Sequence, residues 1–126
     1  MPTIQRFEDI LGWQKARELT RLIYTISRVT EFSRDFALKD QIRRAAISVM
    51  LNIAEGFARR TDKDFARFLS NAHGSAAEVQ SALYVALDQE YIGQEQFKTA
   101  YDRSAECSRL TFGFMQYLSR EVDAGH

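Results

Sequence analysis

The chain has 126 residues, no net charge and 45% hydrophobic residues. This length favours one domain that folds without disulfides or metals, and the single cysteine, Cys107, excludes an internal disulfide and indicates a reducing, cytoplasmic setting. The zero net charge argues against nucleic-acid or membrane association driven by bulk charge, and no apolar run is long enough to span a membrane.

Apolar residues recur every three or four positions in four successive segments, a pattern typical of amphipathic helices. The first predicted helix covers residues 9–31. Its apolar face carries Ile10, Trp13, Ala16, Leu19, Leu22, Ile23, Ile26 and Val29. The segment FSRDF, residues 32–36, is expected to interrupt this pattern. The second predicted helix covers residues 38–58, and its apolar face carries Leu38, Ile42, Ala45, Ala46, Val49, Ile53 and Phe57.

The third predicted helix covers residues 62–90, after Thr61, whose hydroxyl can cap it. Its apolar face carries Phe65, Phe68, Leu69, Ala72, Ala76, Val79, Leu83, Ala86 and Leu87. Gly93 separates it from the fourth predicted helix, residues 94–121. The fourth apolar face carries Phe97, Tyr101, Ala105, Phe112, Met115, Leu118 and Val122.

Short connections between long helices of similar length make neighbouring helices antiparallel. The sequence therefore predicts an all-α fold, an antiparallel up-down-up-down four-helix bundle, as a single domain over residues 1–126.

The fourth helix also carries a second apolar set beside its predicted core face: Cys107, Leu110, Phe114 and Tyr117. A helix that is apolar nearly all round is expected to be buried on two sides. Because aromatic residues are enriched at protein interfaces, we predict that Leu110, Phe114 and Tyr117 form an interface between copies of the chain.

Polar residues run along the second and third helices at spacings of three and four, so each set lies on one helix face. The predicted polar network consists of Ser48, Asn52, Glu55 and Arg59 on the second helix and Asn71, Ser75 and Glu78 on the third. Three interpretations compete for it: a catalytic carboxylate, a nucleic-acid clamp, or an internal polar lock that helps the bundle fold and assemble.

The catalytic interpretation is the weakest of the three. Glu55 or Glu78 would need a partner group, but His73 stands alone on the third helix and no Glu-x-x-His pair is present. The sequence has no phosphate-binding glycine loop and no cysteine pair for zinc. We therefore predict no catalytic residues, no metal and no cofactor, with Cys107 an inert helix residue.

The nucleic-acid interpretation depends on a local excess of positive charge. Residues 34–67 contain eight basic and five acidic residues, whereas residues 68–126 contain four basic and eight acidic residues. The candidate phosphate-binding residues are Arg43, Arg44, Arg59, Arg60, Lys63 and Arg67. Arg44 and Arg59 are 15 positions apart, about 22 Å along a helix, so these residues form two clusters at opposite ends of the bundle. Only a ring of copies could concentrate one cluster into a continuous basic surface.

Several of these segments resemble the four-helix bundle family of proteins encoded by intervening sequences in bacterial 23S ribosomal RNA genes, the S23 family. The resemblance covers residues 7–120 and rests on WQKA (residues 13–16), QIRRAA (41–46), NIAEGF (52–57), Arg59–Arg60 and Gly74–Ser75. Met50 and Leu51 stand where family members often have proline and serine, so the second helix is expected to be straighter there.

The resemblance implies a cytoplasmic, non-enzymatic bundle that assembles as a homopentamer. It also implies a relationship to the accessory protein of diversity-generating retroelements, which binds nucleic acid. Two functions therefore stay open: an oligomeric scaffold or protein-interaction module, and a weak, sequence-independent RNA- or DNA-binding protein.

Overall fold

The computed structural model describes residues 4–123, except the side chain of Thr30, so the ends of the predicted 1–126 domain lie outside the described residues. The described chain is helical and contains no strand. Its elements are a 3-10 turn at Phe7–Asp9, α1 at Leu11–Ser27, α2 at Thr30–Arg34, α3 at Phe36–Phe57, α4 at Asp62–Asp88 and α5 at Gln94–Asp123. Within this range no helix combines the length and the apolar character needed to cross a membrane.

The four long helices form a bundle in which each helix contacts two others. α3 packs between α1 and α4, and α5 packs between α4 and α1. The side formed by α1 and α3 therefore lies opposite the side formed by α4 and α5. One shared core contains fully buried side chains from the bundle helices, among them Leu19, Ile53, Leu69 and Leu83. The predicted all-α, antiparallel up-down-up-down four-helix bundle is confirmed.

The first long helix ends at Ser27, so the prediction of one helix over residues 9–31 is wrong at its end. Val29 adopts an extended conformation (φ −71°, ψ 154°) and is 47% exposed, which removes it from the apolar face. The chain then forms α2, in which Phe32 is fully buried. The Phe32 ring stacks on Tyr91 with 5.4 Å between the ring centroids. The FSRDF segment thus interrupts the long helices while its first phenylalanine joins the core.

Asp35 connects two distant parts of this end of the bundle. Its carboxylate accepts a hydrogen bond from the Leu38 backbone N–H at 3.1 Å, which caps the start of α3. The same carboxylate accepts a hydrogen bond from the Tyr91 hydroxyl at 3.0 Å. This hydrogen bond raises the pKa of Tyr91, because losing the phenolic proton would break it. The junction of α2 and α3 is therefore tied to the turn between α4 and α5.

The other helix ends lie within two residues of the predicted bounds 38–58, 62–90 and 94–121. α4 begins directly after Thr61, whose hydroxyl accepts a hydrogen bond from the Asp64 backbone N–H at 3.1 Å, as its capping pattern predicts. Beyond the end of α4, Glu90 has a positive φ of 62°. This left-handed residue turns the chain out of the helical direction.

The core-facing side of α5 differs from the predicted one. The structure buries Ala100, Ser104, Cys107, Thr111 and Leu118, and leaves the predicted core residue Phe112 41% exposed. The Ser104 and Thr111 hydroxyls donate to carbonyl oxygens of their own helix, each at 2.8 Å. Because these polar groups are satisfied inside the helix, they can lie in the core, and a search for apolar residues alone selects the wrong face.

The predicted second apolar face of α5 is largely occupied within the chain. Leu110, Phe114 and Tyr117 are half-buried. The Phe114 ring packs 5.1 Å from Phe65 and 6.4 Å from Tyr117. An interface between copies through these residues stays a prediction. It was based on an apolar face without partners inside the chain, whereas these three side chains are half-buried within it.

α4 lies close against α3 at a glycine of α3. Gly56 is buried, and a Cβ atom added to it would lie 2.8 Å from both Phe65 Cδ1 and Phe68 Cβ. These distances are shorter than van der Waals contact. Gly56 is therefore needed for the spacing of the two helices.

Candidate functional site

The centre of the predicted polar network is a chain of three side chains between α3 and α4. The Ser48 and Ser75 hydroxyl oxygens are 2.8 Å apart. The Asn52 side-chain amide donates to the Ser48 hydroxyl at 3.0 Å and to the Ser48 carbonyl oxygen at 2.8 Å. Ser75 is 7% exposed, and its short side chain allows the helices to meet at this point. The interpretation as an internal polar lock fits these three residues.

The remaining four residues of the predicted network do not join this chain. Glu55 and Arg59 form an exposed ion pair at 2.8 Å on one helix. Glu78 accepts a hydrogen bond from the Gln41 side chain at 3.2 Å, also in solvent. Asn71 is exposed. All four residues are exposed, so the buried network is smaller than the sequence spacing suggests.

A double-mutant cycle on Ser48→Ala and Ser75→Ala is expected to give a coupling energy of about 0.5–1.5 kcal/mol in the free energy of unfolding. The corresponding cycle on Glu55→Ala and Arg59→Ala is expected to give less than about 0.5 kcal/mol, because that pair is exposed. Chemical denaturation of the variants measures both values. Equal coupling in the two cycles would show that Ser48 and Ser75 behave as ordinary surface residues.

Three of the six candidate phosphate-binding residues interact mainly within the chain. The Arg43 guanidinium donates to the Ser27 hydroxyl at 2.8 Å and lies 4.3 Å from the centroid of the Tyr24 ring. Arg59 and Arg67 both lie over the Phe68 ring, at 4.6 and 4.9 Å. Arg59 also pairs with Glu55, and Arg67 pairs with Asp64 at 3.7 Å.

The other three candidates, Arg44, Arg60 and Lys63, are exposed, and no ion pair involves them within residues 4–123. Arg60 and Lys63 flank the turn between α3 and α4, whereas Arg44 lies in the half of α3 nearer the opposite end of the bundle. The six basic residues therefore do not form one continuous surface on a single chain.

Cys107 and His73 are the residues that could act as a nucleophile and as a base, and both pack against other parts of the chain. Cys107 is fully buried in the core, and burial, with smaller contributions from nearby Glu106 and Glu18, raises the pKa of its thiol to about 12. The thiol therefore stays protonated and unreactive at neutral pH. His73 Nδ1 lies 2.9 Å from the Ser108 hydroxyl across the α4–α5 contact. Among the described residues no group of histidine, cysteine and acidic side chains could hold a metal ion.

A further surface, which the sequence analysis missed, lies on the outer side of α3. Phe36 is 68% exposed and Leu51 is 60% exposed. Ile47 and Ala54 are half-buried and lie on the same side of the helix as Leu51, because the three are four and three positions apart. This spacing is visible in the sequence, so a search for a second apolar stripe on every helix would have found it. The outer side of α3 therefore carries two large exposed apolar side chains, Phe36 and Leu51.

Comparison with known proteins agrees with this fold. The family model described as 23S rRNA-intervening sequence protein matches residues 8–113. A search of curated proteins gives no significant match. A crystal structure of a protein of unknown function from the S23 ribosomal protein family of Bacteroides thetaiotaomicron VPI-5482 superposes with a TM-score of 0.76 at 24% sequence identity, over 83% of this chain and 98% of that one.

At that identity the crystal structure supports the fold alone, whereas the family model covers most of the chain and includes the Asn52–Ser48 pair, the Gly56 contact and Ser75. The chain therefore belongs to the 23S rRNA-intervening sequence protein family.

Proposed function

We propose that this chain is a non-enzymatic protein-interaction module that associates with further copies of itself. The observation that carries the proposal is the apolar stripe on the outer side of α3, in which Phe36 and Leu51 are exposed and Ile47 and Ala54 are half-buried. Burying one large apolar side chain in an interface contributes about 1.5–3 kcal/mol. Two largely exposed residues of this kind on one helix are therefore a substantial driving force for association.

The chemistry of the candidate catalytic groups also favours a binding role. The Cys107 thiol is inaccessible and protonated. Glu55 lies in solvent beside Arg59, where nothing excludes water from it. We infer a cytoplasmic location from the single cysteine, which the fold buries as a free thiol. The homopentamer that the family resemblance implies is one form that self-association would take.

Light scattering is expected to report an oligomer for the wild-type chain at tens of micromolar, and a smaller species for Leu51→Glu. The added carboxylate would have to be desolvated in the interface, which is costly without a partner. Gln116→Glu adds the same charge at an exposed position of α5 and is the matched control, expected to keep the wild-type mass.

A wild-type monomer at that concentration would rule out self-association. An oligomer that is unaffected by Leu51→Glu would place the interface away from the outer side of α3. Circular dichroism on each variant confirms that the helices are intact.

A second candidate function is weak, sequence-independent binding of RNA or DNA. Arg60 and Lys63 favour it, because both are exposed beside the α3–α4 turn and neither pairs with an acid within residues 4–123. Arg59 and Arg67 lie close to them in sequence, although both interact with Phe68 and with acidic neighbours.

If this second function is correct, a mobility-shift titration is expected to show binding at low salt that weakens steeply as salt rises. Two phosphate contacts predict a log–log salt slope of about −1.8 on duplex DNA. Arg60→Glu/Lys63→Glu is expected to abolish the shift. A shift that ignores both salt and this double substitution would exclude these residues as the site.

A further inference from the structure

We propose that a cavity at the turn between α3 and α4 binds a free aromatic amino acid, for which phenylalanine is the probe. The end cavity, of about 240 Å³, lies where α3 ends, α4 begins and α5 finishes. Its lining consists of five apolar side chains and of the four polar residues 59–62. The end cavity shares no residue with the apolar stripe of α3, so the inference goes beyond the proposed self-association and does not depend on it.

The apolar wall of the end cavity comes from separate parts of the chain. Its residues are Ile4, Phe57 at the end of α3, Phe65 near the start of α4, and Phe114 and Leu118 on the second half of α5. The Phe65 ring lies 6.2 Å from the Phe57 ring and 5.1 Å from the Phe114 ring, at interplanar angles of 77° and 60°. A further ring in the cavity can extend this inclined packing, which stabilises aromatic pairs beyond the area that they bury.

The volume of the end cavity suits one aromatic ring with a short polar group. An apolar cavity of about 150 Å³ holds one benzene molecule. The end cavity, at about 240 Å³, therefore has room for a phenyl ring and for the few further atoms of an amino-acid backbone. Sites for drug-sized ligands are larger, at roughly 300–1,000 Å³.

The polar rim of the end cavity carries one uncompensated charge of each sign. The Arg59 guanidinium is paired with Glu55 at 2.8 Å and lies 4.6 Å from the centroid of the Phe68 ring, so its charge is balanced within the chain. Arg60 and Asp62 are both exposed, and neither forms an ion pair within residues 4–123. These two residues flank Thr61, so a cation and an anion meet at one rim.

A zwitterion matches this pair of charges better than an ion of either sign. A carboxylate gains a charge-assisted hydrogen bond from Arg60, but a ligand with a carboxylate alone also meets the like charge of Asp62. An ammonium group alone is attracted to Asp62 and repelled by Arg60 for the same reason. In a free amino acid one carbon atom carries both groups, so each group can face the residue of opposite charge.

The combination of features, rather than any single residue, points to a ligand. Asp62 also stabilises the start of α4 as an acidic residue in its first turn, and an exposed arginine is ordinary on a protein surface. Neither role requires that both charges border a cavity walled by three phenylalanine rings. An aromatic amino acid is the class of molecule that uses the rings, the cation and the anion together.

The first part of the test compares three probes that share one ring, using saturation-transfer NMR on the full wild-type chain. Phenylalanine has both charged groups, phenylacetate lacks the ammonium group, and phenethylamine lacks the carboxylate. Phenylalanine is expected to have a dissociation constant at least about threefold lower than either of the other two, because it alone avoids an unfavourable charge at the rim.

The second part uses two nearly isosteric variants with opposite expected effects. Arg60→Gln is expected to weaken the binding of phenylalanine and phenylacetate at least about fivefold without weakening that of phenethylamine. Asp62→Asn is expected to weaken the binding of phenylalanine and phenethylamine without weakening that of phenylacetate. Arg28→Gln removes the same charge from an exposed position at the opposite end of the bundle and is the matched control, expected to bind all three probes as the wild type does.

Leu118→Phe fills part of the end cavity and is expected to weaken the binding of all three probes. Circular dichroism shows that each variant is folded. No saturation transfer to phenylalanine at millimolar concentration would overturn the inference, and so would equal affinity for the three probes. Binding that Leu118→Phe leaves unchanged would place the ligand elsewhere. Light scattering on the same samples reports self-association separately, so a chain that assembles without binding phenylalanine would contradict this inference alone.

Discussion

Replacing Phe32 with alanine is expected to lower the free energy of unfolding by about 3–5 kcal/mol. Phe32 is the largest of the fully buried side chains, and it lies in the five-residue helix α2 that closes one end of the bundle. Its ring stacks on Tyr91, which in turn donates to Asp35 at the start of α3. Removing the ring therefore leaves a cavity and also loosens the connection between α2, α3 and the α4–α5 turn.

Phe36→Ala is the matched control, because it removes the same side chain four residues later from a position that is 68% exposed. Its effect on unfolding at low protein concentration is expected to stay within about 0.5 kcal/mol. Urea denaturation followed by circular dichroism measures both variants. A loss for Phe32→Ala as small as for Phe36→Ala would mean that α2 is not an integral part of the core.

Gly56→Ala is expected to destabilise the fold relative to Gly74→Ala by about 1–3 kcal/mol. Gly74 lies in the interior of α4, where alanine gains helix propensity of about 1 kcal/mol, whereas Gly56 is the next-to-last residue of α3, where the gain is smaller. The remaining difference between the two variants comes from packing. At Gly56 the new methyl group would lie 2.8 Å from Phe65 Cδ1 and Phe68 Cβ, whereas at Gly74 it would meet nothing within 4 Å.

Phe68 Cβ is attached directly to the backbone of α4, so relief at Gly56 requires α3 and α4 to move apart. Gly74→Ala, in contrast, is expected to raise the stability. Thermal unfolding of the two variants at one fixed protein concentration gives the comparison, since self-association adds a concentration-dependent contribution. Equal midpoints would show that the close approach at Gly56 is relieved without cost.

The sequence was sufficient to predict the bundle because its long helices repeat apolar residues at helical spacing with few interruptions. It was insufficient where a local feature competes with that pattern. Val29 continues the apolar spacing of α1, yet the chain leaves the helix before it so that Phe32 can reach the core. On α5, Ser104 and Thr111 occupy core positions because their hydroxyls bond to the helix backbone.

The polar residues of α3 and α4 were likewise predicted only in part. Ser48, Asn52 and Ser75 are brought together as the spacing predicts, because short side chains on facing helices can only meet across the contact. Glu55, Arg59 and Glu78 have the same spacing, but their longer side chains reach solvent and bond there. Spacing identifies the helix face, but it does not decide which residues lie between the helices, since Asn71 is exposed although its side chain is as short as that of Asn52.

The accessibility of the Cys107 thiol can be used to measure how often the bundle opens. Cys107 has no exposed surface, so a thiol reagent can reach it only after α5 separates from the core. When reclosing is faster than labelling, the observed labelling rate equals the rate of an exposed thiol multiplied by the equilibrium constant for opening. The labelling rate of Cys107 therefore measures how often α5 detaches, and no probe has to be introduced. A lower labelling rate in the assembled protein would show that binding another copy holds α5 in place.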